Sequence, residues 1–133
     1  MDDRLALEAL EKKNLALVTE FCKAWELRDV EKLIPYLSKD IDYHIWEGGA
    51  EIKGLQEFRE VIGPFLAGTE KVEWEILRSQ AMGVMVTNER YDHFFRAGEE
   101  ADWHFPVTGI FIVKDGRIVF WRDYNIPGKP AQM

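Results

Sequence analysis

The 133-residue sequence has a single cysteine, Cys22, so no disulfide can close within the chain and no thiolate cage can hold a metal. That usage fits a reducing compartment, and the cytoplasm is the expected location. Histidine is scarce too. His44, His93 and His104 are not spaced with carboxylates as a triad on one element, and no HExxH pattern occurs, so no metal is expected. Positive charge is short: 17 Lys and Arg stand against 24 Asp and Glu, a net charge of −7. Such a chain repels phosphate backbones and anionic bilayers, which argues against nucleic-acid and membrane partners. No apolar run approaches the roughly 20 residues of a membrane span, and MDDRLALEALEKK lacks the basic start and apolar stretch of a secretory leader. The GxSxG elbow of a serine hydrolase and the glycine loops that cradle phosphates are missing, so no cofactor is expected. Without repeats, low-complexity tracts or linkers, one domain over residues 1–133 is expected.

What the chain does hold is apolar and aromatic surface. Apolar residues make up 47% and aromatics 13%, with five tryptophans, more flat surface than a minimal core needs, which points to an aromatic-lined cavity or to large rings filling the core. Leu15, Val18, Phe21, Cys22 and Trp25 recur at three- and four-residue steps and predict a helix from about Leu5 to Leu27. Asp29 stands as N-cap of a second helix, Val30 to Leu37, which Pro35 should shorten. A third helix is read from Leu55 to Leu66, with Leu55, Phe58, Val61, Ile62 and Phe65 as its stripe and a bend at Gly63-Pro64. Between them, Ile41, Tyr43 and Ile45 alternate with Asp42, His44 and Trp46, a strand ending in a Glu47-Gly48-Gly49 turn. The second half reads as four strands: Lys71 to Gln80, Gly83 to Phe95, Trp103 to Val113 and Arg117 to Asn125. Lys114-Asp115-Gly116-Arg117 is a strong hairpin signal, and the tail from Pro127 reads as irregular.

Helices first and antiparallel strands after give an α+β class. The expected architecture is a strongly curved, mixed but mostly antiparallel sheet wrapped around three helices, a cone with one deep pocket. The element order resembles the fold of nuclear transport factor two and its SnoaL-like relatives, which serves enzymes and binding proteins alike.

Strand alternation places Asn88, Arg90 and Asp92 on one face, and Trp121, Asp123 and Asn125 on one face of the last strand. Two carboxylates and an arginine turned into a cone would have to pair, because burying them singly costs several kcal/mol. The same alternation also describes a solvated face laced with cross-strand ion pairs. Asn88-Glu89-Arg90-Tyr91-Asp92, with Gly109-Ile110-Phe111, Lys114 to Ile118 and Trp121-Arg122-Asp123-Tyr124, resembles the limonene-1,2-epoxide hydrolase family. The resemblance extends to Asp40–Tyr43 and the helix order, and so covers most of the chain.

That resemblance implies a cofactor-independent epoxide hydrolase. Asp92 would be the general acid that protonates the epoxide oxygen and Asp123 the general base that takes a proton from water. Arg90 would bridge the two, and Tyr43 would hold the water with Asp123. The family's asparagine two residues after that tyrosine is replaced here by Ile45, which holds nothing. His44 faces the other way on a regular strand unless a bulge re-aims it, and Asn88 or Asn125 could substitute. Ile45, Leu77, Trp103, Phe105, Trp121 and His104 are the expected substrate contacts, for a small apolar or alicyclic epoxide, although His104 reads more readily as a hydrogen-bonded structural histidine. A homodimer is expected, as in the family. Rival readings on the same fold are an epoxide-opening cyclase, a ketosteroid-isomerase-type enzyme and a non-catalytic small-molecule-binding domain.

Overall fold

The computed structural model describes residues 2–45, 49, 51–98 and 101–125. Helix α1 (Asp2–Ala24) runs into a 3-10 turn over Trp25–Leu27. Its buried side is Val18, Phe21, Cys22 and Trp25, as the periodicity predicts, while Leu5, Leu7 and Leu10 of its first turns are exposed. Arg28 then takes a left-handed backbone (φ 54°) and turns the chain, its guanidinium donating to the Thr69 carbonyl at 3.1 Å. The Asp29 carboxylate caps α2 (Val30–Leu33) by accepting the Glu31 N–H at 3.0 Å. Pro35 ends that helix early in a 3-10 turn, Ile34–Tyr36, so Leu37 is the first residue of β1 (Leu37–His44) rather than helical. A short strand the alternation did not reveal, β2 (Glu51–Lys53), pairs antiparallel with β1; of the turn predicted before it, Glu47 and Gly48 lie outside the described residues. Helix α3 (Gly54–Ala67) buries Phe58, Ile62 and Leu66 and continues through Pro64, with Val61 turned outward.

Four long strands follow: β3 (Thr69–Met82), β4 (Met85–Arg96), β5 (Trp103–Lys114) and β6 (Arg117–Asn125). They form one six-stranded sheet in the order β2-β1-β6-β5-β4-β3, antiparallel except where β1 lies parallel to β6. Asp115 and Gly116 both have positive φ, the backbone of the two-residue hairpin that matches strand twist. Register shifts in β3 at Ile76/Arg78 and between β5 and β6 at Ile112/Val113 are bulges, which bend a sheet and sharpen its twist. The result is the expected open α+β cone with the helices inside the curve. Its core is aromatic: Trp25 stacks on Trp74 at 4.4 Å, and Trp121 lies between Tyr43 (3.7 Å) and Phe111 (5.3 Å), with near-parallel planes.

Candidate active site

Along β4 the inward residues are Val86, Asn88, Arg90, Asp92 and Phe94. Three polar side chains thus sit between two apolar ones on the buried face, which excludes the solvated-face reading. Arg90 is fully buried, and the Asp92 and Asp123 side chains are 2% and 6% exposed. The register explains the meeting: Asn88 pairs across β5 with Gly109, and Gly109 pairs with Asp123 of β6. One strand, β5, therefore separates the carboxylates, and the arginine spans it over the glycine.

The guanidinium grips Asp92 as a fork, Nε to Oδ1 at 3.0 Å and Nη2 to Oδ2 at 2.9 Å. The same Nη2 donates to Asp123 Oδ2 at 3.1 Å, and Nη1 donates to Asn88 Oδ1 at 3.1 Å. Trp74 lies under the cation, ring centroid 4.4 Å from Cζ. The other oxygen of Asp123, Oδ1, accepts the indole N–H of Trp121 at 2.7 Å. A planar five-donor head suits this work; a lysine ammonium could not fork one carboxylate and reach another in fixed geometry.

Burial pushes both carboxylates toward the protonated form, and Arg90 pulls them back. The net direction for Asp92 is upward, and Asp123, which also feels the Asp92 charge, is raised to about 6. Burial and the neighbouring Asp123 keep Tyr43 a neutral phenol, far above its ordinary range. Cys22, whose sulfur accepts the Asn88 carboxamide N–H at 3.6 Å, is pushed by burial up to about 12 and is no nucleophile.

Arg90, Asp92, Asp123 and Tyr43 are thus brought together, Tyr43 through its stack on Trp121. Trp103, Phe105 and Ile45 are half-buried on the same side; Phe105 pairs with Asp92, and Ile45 follows β1 directly, packed against the core. Three expected substrate contacts are corrected. Leu77 is the extra residue of the β3 bulge and is 49% exposed, while Trp74 and Ile76 before it turn inward. His104 pairs with His93 on the opposite face from Asp92, where their Nδ1 atoms lie 2.8 Å apart. Trp121 is fully buried, so its ring offers no surface to a ligand; it anchors Asp123 instead.

His44 faces outward, as a regular strand requires, and lies 3.0 Å from Glu51 and 3.3 Å from Asp42. These three offer ligand atoms within 4.8 Å of one another, a grouping hidden in the sequence because it joins two strands. It lies on the far side of the sheet from Asp92 and Asp123. An open depression edged by Glu89, Pro106, Thr108 and Tyr124 takes in Asn125 but none of the expected catalytic residues. Sequence reasoning gave Trp74 no role, since cross-strand pairing alone puts it under Arg90. It gave none to Gly109 either, although an isolated strand glycine signals a close approach.

Residues 12–126 match the family model described as the limonene-1,2-epoxide hydrolase catalytic domain. The structure of an LEH-like epoxide hydrolase from M. tuberculosis aligns with a TM-score of 0.77 at 28% identity, over 87% of this chain and 84% of that one. A putative polyketide cyclase from Xanthomonas campestris pv. campestris (TM-score 0.72, 18% identity, 86% and 90% covered) shares the fold. So does a protein with a ketosteroid isomerase-like fold from Catenulispora acidiphila, in complex with trimethylamine (0.75, 20%, 86% and 88%). No curated protein matches the chain.

Proposed function

The chain belongs to the limonene-1,2-epoxide hydrolase catalytic-domain family, and from that premise we propose that it adds water to a small apolar or alicyclic epoxide, giving a vicinal diol. The observation that carries this reading is one nitrogen, Arg90 Nη2, bonded to both Asp92 and Asp123 at 2.9 and 3.1 Å in the buried interior. Two ionised carboxylates against one guanidinium leave a negative charge in a place that disfavours it. One proton shared by the pair makes the triad neutral, and a carboxyl beside a carboxylate is what acid–base ring opening needs.

In the step, Asp123 takes a proton from water as the water oxygen bonds to an epoxide carbon. The carbon–oxygen bond on that carbon breaks, and Asp92 delivers its proton to the departing oxygen. The product is a diol; the proton gained by Asp123 then returns to Asp92 through solvent, restoring both. Asp123, at about 6, is ionised at neutral pH as a base must be. An epoxide seated against Asp92 excludes water there, which favours the neutral acid. Tyr43, kept as an O–H, holds the water, and Trp103, Phe105 and Ile45 supply apolar contact. No cofactor is called for, since both proton transfers are supplied by side chains, each contributing roughly 10²–10⁴-fold.

Asp92→Asn and Asp123→Asn should each lower diol formation about a hundredfold or more while circular dichroism stays that of the parent. Parent-like hydrolysis by both variants would sink the reading. A single turnover in ¹⁸O water should put the label in the diol and none in the protein. In the same reading the protein works in the cytoplasm as a homodimer. None of the described helices is long and apolar enough to cross a membrane, and light scattering in solution measures the dimer.

Ile45 favours a second reading. Nothing polar stands at that position and His44 is engaged on the outer side, so a hydroxyl of the substrate itself could attack in place of water. A cyclic ether instead of a diol would select this cyclase chemistry. Ketosteroid-type isomerisation is less well supported, because Ile45 and the outward Thr108 stand where its base and donor belong.

A further inference from the structure

The guanidinium has a third anchor that the proposed reaction does not use. Asn88 is 3% exposed, and its oxygen is what Nη1 of Arg90 bonds to, on the corner of the head opposite the Asp92 fork. A fork alone is a hinge. The cation can roll about the line through Nε and Nη2 without losing Asp92, and any roll swings the second Nη2 hydrogen off Asp123. The contact at Nη1 stops the roll. The carboxamide cannot flip to present nitrogen instead, since Nη1 is a donor only and needs the oxygen, while the N–H₂ end is turned to Cys22 Sγ on α1, a weak acceptor. Trp74 closes one face of the cation, and Gly109 leaves the space in which the head lies.

We infer that Asn88 is a positioning residue: its oxygen fixes the rotation of the Arg90 guanidinium so that Nη2 reaches both carboxylates at once. The buried floor of the site therefore begins at α1 and β5 as well as at the carboxylate strands, and Cys22 and Gly109 matter through Asn88 and Arg90. The inference rests on the hydrolase reading only for its kinetic arm. Its structural arm follows the charge on Asp123, which is faced by Arg90 and Asp92 from β4, Tyr43 from β1 and Cys22 from α1.

The test is a carboxyl ¹³C NMR titration of aspartate-labelled protein, with Asp123 assigned by its loss in Asp123→Asn. Releasing Nη2 from Asp123 removes cationic stabilisation of the carboxylate. Asn88→Ala should move the Asp123 midpoint upward by roughly 1 unit, and Asn88→Ser, which keeps a nearer oxygen, by less. With an epoxide substrate, kcat of Asn88→Ala should fall about tenfold or more with KM little changed, its acid limb shifted upward with the carboxyl. A folded Asn88→Ala whose Asp123 titrates with the parent overturns the inference, as does an equal shift in both variants. If Asn88→Ala does not fold, Asn88→Ser decides alone: a raised midpoint supports the inference and an unchanged one overturns it. The titration needs no turnover, so it stands or falls separately from the choice of epoxide hydrolysis.

Discussion

Replacing Gly109 by alanine should damage this protein far more than one methyl group normally does. The backbone there is ordinary for any residue, so the cost is spatial. An alanine Cβ would lie 2.6 Å from Arg90 Nη1, 2.9 Å from Phe111 Cε1 and 3.0 Å from Asn88 Oδ1. Carbon contacts relax near ~3.5 Å, so the neighbours must yield by roughly half an ångström to one. Phe111 is held by its stack on Trp121, and Asn88 by Cys22. The guanidinium must move, breaking its Nη1 bond and tilting off Asp123. Overpacking costs about 1–3 kcal/mol, and a lost hydrogen bond to a charged group about 1.5–3 kcal/mol. The sum is about 2.5–6 kcal/mol, which at about 3–5 °C per kcal/mol for a chain of this size lowers Tm by roughly 8–30 °C. A 1 Å misplacement of reacting groups costs about 10²-fold in rate. Thermal melts and diol formation read both. Gly63→Ala is the control, since its Cβ meets only Val30 Cγ1 at 3.7 Å inside α3, and losing a helix glycine should stabilise by about 0.5–1 kcal/mol. If Gly109→Ala melts and turns over like the parent, the placement of Arg90 beside that glycine is refuted.

Asp123→Asn should be the more stable protein at neutral pH while losing activity. The carboxyl rises from 3.8 unfolded to about 6 folded, so the folded state binds its proton more tightly. That stabilisation is present below the unfolded value and is lost as pH rises through about 6. The variant's advantage should thus grow from about pH 4 to pH 7, to roughly 1–3 kcal/mol; paired denaturant titrations at the two pH values measure it, and an advantage that shrinks with rising pH refutes it. Trp121→Phe keeps the aromatic stack but removes the N–H at 2.7 Å from Asp123. It should shift the acid limb of kcat/KM to higher pH, and an unmoved limb would show that the indole bond does not hold the carboxylate.

Much of the fold was legible because local chemistry and burial agree. The stripe ending at Trp25, the Asp29 cap and the Asp115-Gly116 turn each specify their element without help from distant residues. Alternation found the Arg90–Asp92–Asp123 face for the same reason: period two is a backbone property. What stayed hidden depends on pairing. Leu77 looks like any inward leucine until the bulge shifts its register, and β2 is too short to show a pattern. His104 could be assigned a face only from its partner His93. Trp121 reads as a lining aromatic because a linear string does not say that Tyr43 and Phe111 close over both sides of its ring.

The parallel seam of β1 with β6 joins the earliest strand of the sheet to the latest. Asp123, its anchor Trp121 and the ring of Tyr43 meet only along that seam. A ribosome-bound chain can build the helices and the β3–β4 hairpin from neighbouring segments, but its buried Arg90–Asp92–Asp123 cluster must wait for β6, because long-range closure comes after local structure. Throughout synthesis up to Arg117 the nascent protein holds Asp92 and Arg90 without Asp123, and the buried cluster closes only once β6 is in place.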